Sequence, residues 1–375
     1  MSAAIEVSLL SHFAEVEDPR DNRGKAHLLL DIIVITICAV ISGAESWEDI
    51  ELFGKSKQEW LGTFLAIPKG IPCDDTFARV FARLDPQELQ NSFLSWVKAV
   101  SEMLSGEVVA IDGKTLRHSY NRSEGKQAIQ MISAWASANG LVLGQRKVDS
   151  KSNEITAIPE LLKILEINGC IVTIDAMGCQ KEIAKEIIQK GADYVLAVKG
   201  NQSGLFEDVK WLFEQASATN FSDVAHDFSE SINKGHGRVE IRRCWTLSNL
   251  DYLIQHHLWA GLQTIAMVQS ERKLKGKVSI ENRFYISSLP CNAAQIAHAA
   301  RTHWSIENSL HWVLDVSFHE DASRIRRDNA PENMALLRHF AINLVKRDKS
   351  SKSSIAARRK KAAWDQAYMV KLLSL

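Results

Sequence analysis

Asp112 closes an apolar run, Val108-Val109-Ala110-Ile111, and is followed by Gly113 and Lys114. A second aspartate, Asp175, closes Cys170-Ile171-Val172-Thr173-Ile174 and leads into Ala176, Met177 and Gly178. Short apolar runs bounded by glycine read as buried strands. A carboxylate at the end of such a strand leaves the core and faces a cleft, and two of them in one α/β core can converge on a divalent cation. A pair rarely completes a two-ion site, so a third ligand is needed. Glu307 is the candidate, within His303-Trp304-Ser305-Ile306-Glu307-Asn308-Ser309-Leu310-His311-Trp312. His303, Glu307, His311 and Asp315 recur every four residues, which lines potential ligands along one helical face. The flanking Trp304 and Trp312 suggest a largely buried helix. The spacing is not His-Glu-x-x-His, so a zinc-protease reading fails.

Hard carboxylate oxygens without cysteine favour Mg2+, with Mn2+ able to substitute, over zinc. Two such ions ~3.5–4 Å apart can activate a water or a 3′-hydroxyl and stabilise the leaving oxygen of an in-line phosphoryl transfer. Cations near the acids suit a phosphate substrate: Lys114 and Arg117 follow the first aspartate, and Lys199 follows the apolar run Asp193–Val198. Lys199-Gly200-Asn201-Gln202 reads as a turn whose amide side chains could hold a DNA backbone or base.

The elements that must position these residues alternate strand and helix from Gly106 onward. Gln130–Ala138 and Leu141–Val148 flank Asn139-Gly140, a strong hairpin signal. Ile155–Ile167 is expected as a helix, Cys170–Asp175 as a strand, Lys181–Lys190 as a helix and Asp193–Val198 as a strand. That order matches a ribonuclease-H-like α/β core. Residues 203–280 break the rhythm with an amphipathic helix, a polar loop, and strand-like runs at Arg238–Leu247 and Gln263–Gln269, and read as a β-rich insertion. Its Gly235-His236-Gly237-Arg238 turn opens a strand carrying Arg238, Arg242 and Arg243. Arg283–Leu289 returns to a strand. Asn292, with Gln295 three residues on, then starts a helix expected to run past Trp312.

Residues 1–104 read as an all-helical N-terminal domain, either DNA-binding or purely a packing unit. It includes a basic loop with Arg20, Arg23 and Lys25, and the apolar Leu28–Ala44, read as a buried helix rather than a membrane span. The catalytic unit is expected over 105–345. The tail, 346–375, begins with eight basic residues and one acid between Lys346 and Lys361; it reads as a solvated basic segment able to contact DNA.

Composition narrows the class. Lys plus Arg and Asp plus Glu number 45 each, so the chain does not coat polyanions indiscriminately, although local basic patches could still bind them. Hydrophobic content of 46% supports a sizeable core. The six cysteines are scattered without a Cys-x-x-Cys pair, which points to reduced thiols in a cytoplasmic protein.

Taken together, these motifs resemble the DDE-type insertion-sequence transposases, specifically the H-repeat-associated family. The resemblance runs through Asp18-Pro19-Arg20, Ser46-Trp47-Glu48-Asp49-Ile50, Asp75-Thr76-Phe77, Ala110-Ile111-Asp112-Gly113-Lys114, Thr173-Ile174-Asp175-Ala176, Val198-Lys199-Gly200-Asn201-Gln202, His236-Gly237-Arg238, and His303 to Asn308 continuing to Leu314-Asp315-Val316. It implies that Asp112, Asp175 and Glu307 form the catalytic, metal-binding triad on two Mg2+ ions. It also implies double-stranded DNA as partner, both inverted element ends and target, with a homodimer on paired ends. Related transposases surround the glutamate with Tyr, Arg and Lys; here Ala300, His303 and Leu314 stand in those places. His303, Arg301 and Lys199 are candidate replacements, joining Lys114, Arg117, Asn201, Gln202 and Arg238 as expected DNA-binding residues. Two alternatives share the same acids: a catalytically silent DNA-binding relic, and a metal-dependent nuclease without strand transfer.

Overall fold

The computed structural model describes residues 9–21, 25–121, 125–149, 153–235, 238–274 and 277–374. Arg23 of the basic loop, and His236 and Gly237 of the arginine-strand turn, lie outside the described residues.

Helices α1 (Leu9–Phe13), α2 (Leu29–Ser42), α3 (Trp47–Ser56), α4 (Gln58–Leu61), α5 (Asp74–Arg83) and α6 (Pro86–Val100) come first. Apolar on all sides, α2 is buried over nearly its whole length, as such a composition demands. Gly43 stops it in a left-handed conformation (φ 115°), its N–H donating to the carbonyls of Ala39 and Val40. Among the described residues no single helix is long and apolar enough to cross a membrane.

Next come β1 (Val108–Thr115), β2 (Gln130–Ala136), β3 (Leu141–Val148), α7 (Glu154–Ile164), β4 (Ile171–Ile174), α8 (Lys181–Gln189) and β5 (Asp193–Val198). The hairpin turns at Gly140, whose φ of 68° suits glycine. The chain continues through α9 (Ser203–Ala218), β6 (His226–Gly235), β7 (Arg238–Leu247), β8 (Thr264–Leu274) and β9 (Lys277–Ser287). All nine described strands form one sheet in the order β3-β2-β1-β4-β5-β9-β8-β7-β6. Strands β1, β4 and β5 are mutually parallel, and the hairpin strands are antiparallel to their neighbours.

Strand β6 occupies part of the stretch expected as a polar loop. It is exposed on both faces along almost its whole length, so it lacks the apolar alternation by which a strand is recognised. Strand β9 begins before Arg283: its first half, Lys277–Asn282, is exposed, including its alternating Val278 and Ile280.

The remaining helices are α10 (Ala293–His303), α11 (Trp312–Ser317), α12 (Ala330–Arg347), α13 (Ile355–Trp364) and α14 (Gln366–Leu373). Asn292 caps α10 as expected, accepting from the Gln295 N–H at 3.0 Å. The helix does not run unbroken past Trp312. It ends at His303, and a π-helical turn over Glu307–His311 precedes α11.

Helix α12 joins the N-terminal helices to the sheet. The Asn343 side chain accepts from the Val142 N–H at 2.8 Å and donates to the Val142 carbonyl at 2.9 Å, which satisfies the free backbone of the edge strand β3. Asn333 donates to the carbonyls of Phe81 and Leu84 at the end of α5. Phe340 packs against Phe13, Phe93 and Trp96. The N-terminal helices and the sheet thus share one core, and the inner faces of α5 and α6 are turned inward.

The C-terminal tail is not a solvated strand of charge. It forms α13 and α14, with Met369, Leu372 and Leu373 buried. Lys349, Lys352, Lys360 and Lys361 stay exposed, but Lys346, Arg358 and Arg359 turn inward, where helix ends and aromatic rings offer them partners. Arg359 donates to the carbonyls of Val40 (2.8 Å) and Ile41 (3.2 Å) in the last turn of α2, and lies 3.9 Å from the Phe318 ring centroid. Arg358 donates to the carbonyls of Val345 and Asp348, and Lys346 lies over the Trp135 ring. A guanidinium at a helix C-terminus is favoured by the dipole and by the orphan carbonyls. Arg359→Ala should therefore destabilise the protein by about 2–4 kcal/mol, read as a lower denaturant midpoint; an unchanged midpoint would show that Arg359 is an ordinary surface charge.

Candidate active site

Strands β1 and β4 run parallel with Ile111 opposite Ile174, so the residues that follow, Asp112 and Asp175, emerge side by side. Each carboxylate is tied to its own turn. Asp112 Oδ1 accepts from the Gly113 N–H at 2.9 Å, and Asp175 Oδ1 accepts from the N–H groups of Met177 (3.0 Å) and Gly178 (3.3 Å). Space demands glycine at 178, against the β-branched Ile174, whereas at 113 the neighbour is the movable end of Glu154. A Cβ on Gly178 would fall 2.2 Å from Ile174 Cγ2, and one on Gly113 would fall 2.1 Å from Glu154 Oε1.

The third expected acid folds back onto the first. Carboxylate oxygens of Asp112 and Glu307 and a ring nitrogen of His311 all lie within 4.8 Å of one another. His311 Nδ1 is 3.1 Å from Glu307 Oε2 and 3.6 Å from Asp112 Oδ2. The π-helical turn, a frequent feature of functional sites, separates the two side chains in depth. Glu307 is 61% exposed at the mouth, whereas His311 is 5% exposed behind it.

His303 lies deeper than a DNA-contacting replacement for arginine would. Its Nδ1 is 3.1 Å from the hydroxyl of Thr173, a buried residue of β4. Burial lowers its pKa, against the pull of Asp112 and Asp175. The Asp112 carboxyl is pushed up by burial and by Asp175, while His311, His303 and the Gly113 N–H act in the opposite direction.

Glu154 is a fourth acid that sequence reasoning missed. It begins α7, where an acid reads as an ordinary dipole partner. In the fold it reaches over Gly113, accepts from the Gln130 amide, and has its pKa raised by burial and by Asp175 and Asp112.

Several residues expected on DNA are committed elsewhere. Lys114 is 11% exposed, with Nζ 2.7 Å from Asp315, 2.9 Å from Asp321 and 3.1 Å from Glu320. Burial opposes its charge, but the three carboxylates hold the ammonium above the usual lysine range. Lys114 therefore clamps the segment carrying Glu307 to the end of β1. Asp315 belongs to this clamp and is not among the residues gathered around Asp112. Asn201 donates to the Ala176 carbonyl at 2.6 Å and Gln202 to the Cys179 carbonyl at 3.0 Å, so both amides brace the loop after Asp175. Arg117, paired with Asp321, remains 77% exposed, and Lys199 and Arg301 are exposed. Arg238 lies 3.5 Å from Glu240 at the far end of β7.

Trp304 and Trp312 are 53% and 56% exposed, so they do not mark a buried helix. Trp304 instead lines a cleft of ≈ 1100 Å³ between α10 and the strands β7–β9, together with Arg242, Arg272, Arg283 and Arg301. The Arg283 guanidinium lies 4.8 Å from the Trp304 ring centroid. Arg301 is close enough to Arg242 to help burial lower its pKa.

Comparison with known proteins places the chain in a family. The family described as "Transposase DDE domain" matches residues 104–344, and the one described as "DDE_Tnp_1-associated" matches residues 10–97. The chain is 43% identical over 373 residues to "Putative transposase YncI" of Escherichia coli O157:H7, covering 98% of this chain and 94% of that one. It is 42% identical over 371 residues to "H repeat-associated putative transposase YhhI" of Escherichia coli K12, covering 98% and 97%. Among solved structures, the piggyBac transposase synaptic complex with hairpin DNA aligns at 12% identity and a TM-score of 0.40, over 99% of this chain and 79% of that one. With a family match over most of its length and relatives this similar from end to end, the chain belongs to the DDE transposases, beside the H-repeat-associated sequences.

Proposed function

We propose that the protein is an active transposase that cuts DNA at the inverted ends of its element and joins the freed 3′-hydroxyl to target DNA. One observation carries this reading: Asp112 and Asp175 emerge from adjacent parallel strands while the turn after α10 returns Glu307 to Asp112. The strand order β3-β2-β1-β4-β5, three antiparallel and then parallel, supports a ribonuclease-H-like core.

Asp112, Asp175 and Glu307 would hold the divalent ions, Mg2+ or Mn2+. When bound, these supply activation of the attacking oxygen and charge stabilisation at the leaving one. The donor set fits at Asp112 and Glu307, whose oxygens meet within one ion's reach; Asp175 emerges beside Asp112 but outside that 4.8 Å group, and Glu307 stands open to the solvent where DNA must arrive. The chain's own residues keep the acids in place. Lys114 fixes the Glu307 segment, Asn201 and Gln202 fix the Asp175 loop, and Thr173 orients the His303 ring. The cleft of Arg242, Arg272, Arg283, Arg301 and Trp304 suits a DNA backbone, with arginine for phosphate and an aromatic face for an unpaired base. Exposed Lys199 and Arg117 suit the flanking phosphates. The work takes place in the cytoplasm, on nucleoid DNA, with two copies on paired ends.

A strand-transfer assay with labelled element ends and Mg2+ tests the reading. Asp175→Asn should lower joined product by at least ~100-fold, since even outer-sphere changes at metal sites cost ~10–100-fold. Full activity of that variant rules out the assignment, and nicked ends without joined product in the wild type would make the protein a nuclease.

The division of cations is tested separately. Lys114→Met should cost about 3–5 kcal/mol of stability, because it leaves carboxylates unpaired. Arg301→Ala should stay within about 0.5 kcal/mol of wild type, yet weaken DNA binding and reduce the salt slope of log K by about 1. Reversed outcomes, with Lys114→Met fully stable and Arg301→Ala binding DNA normally, would place Lys114 on the DNA instead.

A further inference from the structure

His311 has no part in the reading above, yet its ring sits inside the acid cluster. Its Nδ1 faces two carboxylates from different elements, Glu307 at 3.1 Å and Asp112 at 3.6 Å. A histidine paired with a surface acid is exposed and touches one partner; this one is buried and touches both. Its position follows from the π-helical turn, which draws His311 into the core while Glu307 keeps the mouth.

The geometry points to His311 as a nitrogen ligand of the same ion that Asp112 and Glu307 hold, giving the site a mixed oxygen and nitrogen donor set that favours Mn2+ over Mg2+. The inference rests on the metal-site reading above. The nitrogen that approaches the two carboxylates is the one that would meet an ion lying between them, and the three ligand atoms are already within 4.8 Å of one another. Imidazole is a softer donor than carboxylate and suits first-row transition metals, whereas Mg2+ prefers an all-oxygen shell.

The other side of the ring lacks the partner such a ligand usually has. A ligating imidazole usually donates its second N–H to a fixed acceptor. His311 Nε2 is buried without a hydrogen-bond partner among the described residues, and so is Nδ1 of His339 on α12.

Pulsed electron paramagnetic resonance of full-length protein loaded with Mn2+ alone, without DNA, reads this directly. A directly bound imidazole imprints 14N modulation on the Mn2+ echo. We expect that modulation in the wild type, its replacement by a 15N pattern when the histidines are 15N-labelled, its loss in His311→Asn, and its persistence in His303→Asn. Isothermal titration should show His311→Asn weakening Mn2+ binding about 10–100-fold and narrowing the Mn2+ to Mg2+ affinity ratio by about tenfold. The labelling arm and His303→Asn identify the ligand even if His311→Asn does not fold. Mn2+ that binds through Asp112, being lost in Asp112→Asn, but shows no histidine modulation, or modulation that vanishes in His303→Asn, overturns the role of His311 and leaves the acid site standing. Mn2+ binding that is absent, or indifferent to Asp112→Asn, overturns the acid site and this inference with it.

Discussion

Carboxylates held close together repel one another, and the architecture around β1 and β4 keeps four of them in place. Two unit charges 4 Å apart interact by roughly 4 kcal/mol at an effective dielectric near 20; Asp112 lies within 4.8 Å of Glu307 and, with Asp175, acts electrostatically on Glu154. The structure offsets that repulsion in three ways. Backbone N–H groups of Gly113, Met177 and Gly178 donate hydrogen bonds to the Asp112 and Asp175 carboxylates. The His311 ring lies against both Asp112 and Glu307. Burial also shifts Asp112 and Glu154 toward their protonated forms, a state that binding of a cation would reverse.

Position is maintained by parts that carry no chemistry. Parallel pairing of β1 and β4 sets the two aspartates abreast, a relation fixed by backbone hydrogen bonds and insensitive to side-chain rearrangement. Glu307 has no such ladder. Its place depends on the cap at Asn292, the π-helical turn, and the Lys114 clamp on Asp315, Glu320 and Asp321. The first two acids are therefore positioned by backbone pairing, while the third is positioned through side chains.

Burial explains which elements were legible in advance. Strands β1, β4 and β5 carry continuous apolar runs because sheet and helices cover them on both faces. The Asn139-Gly140 turn announces its hairpin through a backbone conformation that few residues adopt. Strand β6 leaves no such mark, being exposed on both faces. The tail misleads for the opposite reason: its lysines and arginines look solvated, but Arg358 and Arg359 are spent on carbonyls of helices that precede them in the chain.

Local pattern alone determined that Asp112 and Asp175 follow buried apolar runs, that Asn292 starts a helix, and that Glu307 follows on that segment, although β1 continues past Asp112 to Thr115. These are properties of neighbours in the chain, and periodicity encodes them. Only the tertiary structure decided what each charge does. Lys114 meets acids some two hundred residues away, Asn201 and Gln202 meet the loop after Asp175, Glu154 arrives over Gly113, and Trp304 joins an arginine cleft rather than the core. A cation's partner is chosen by distance through space, which falls off within a few ångströms and which the spacing of residues along the chain does not record.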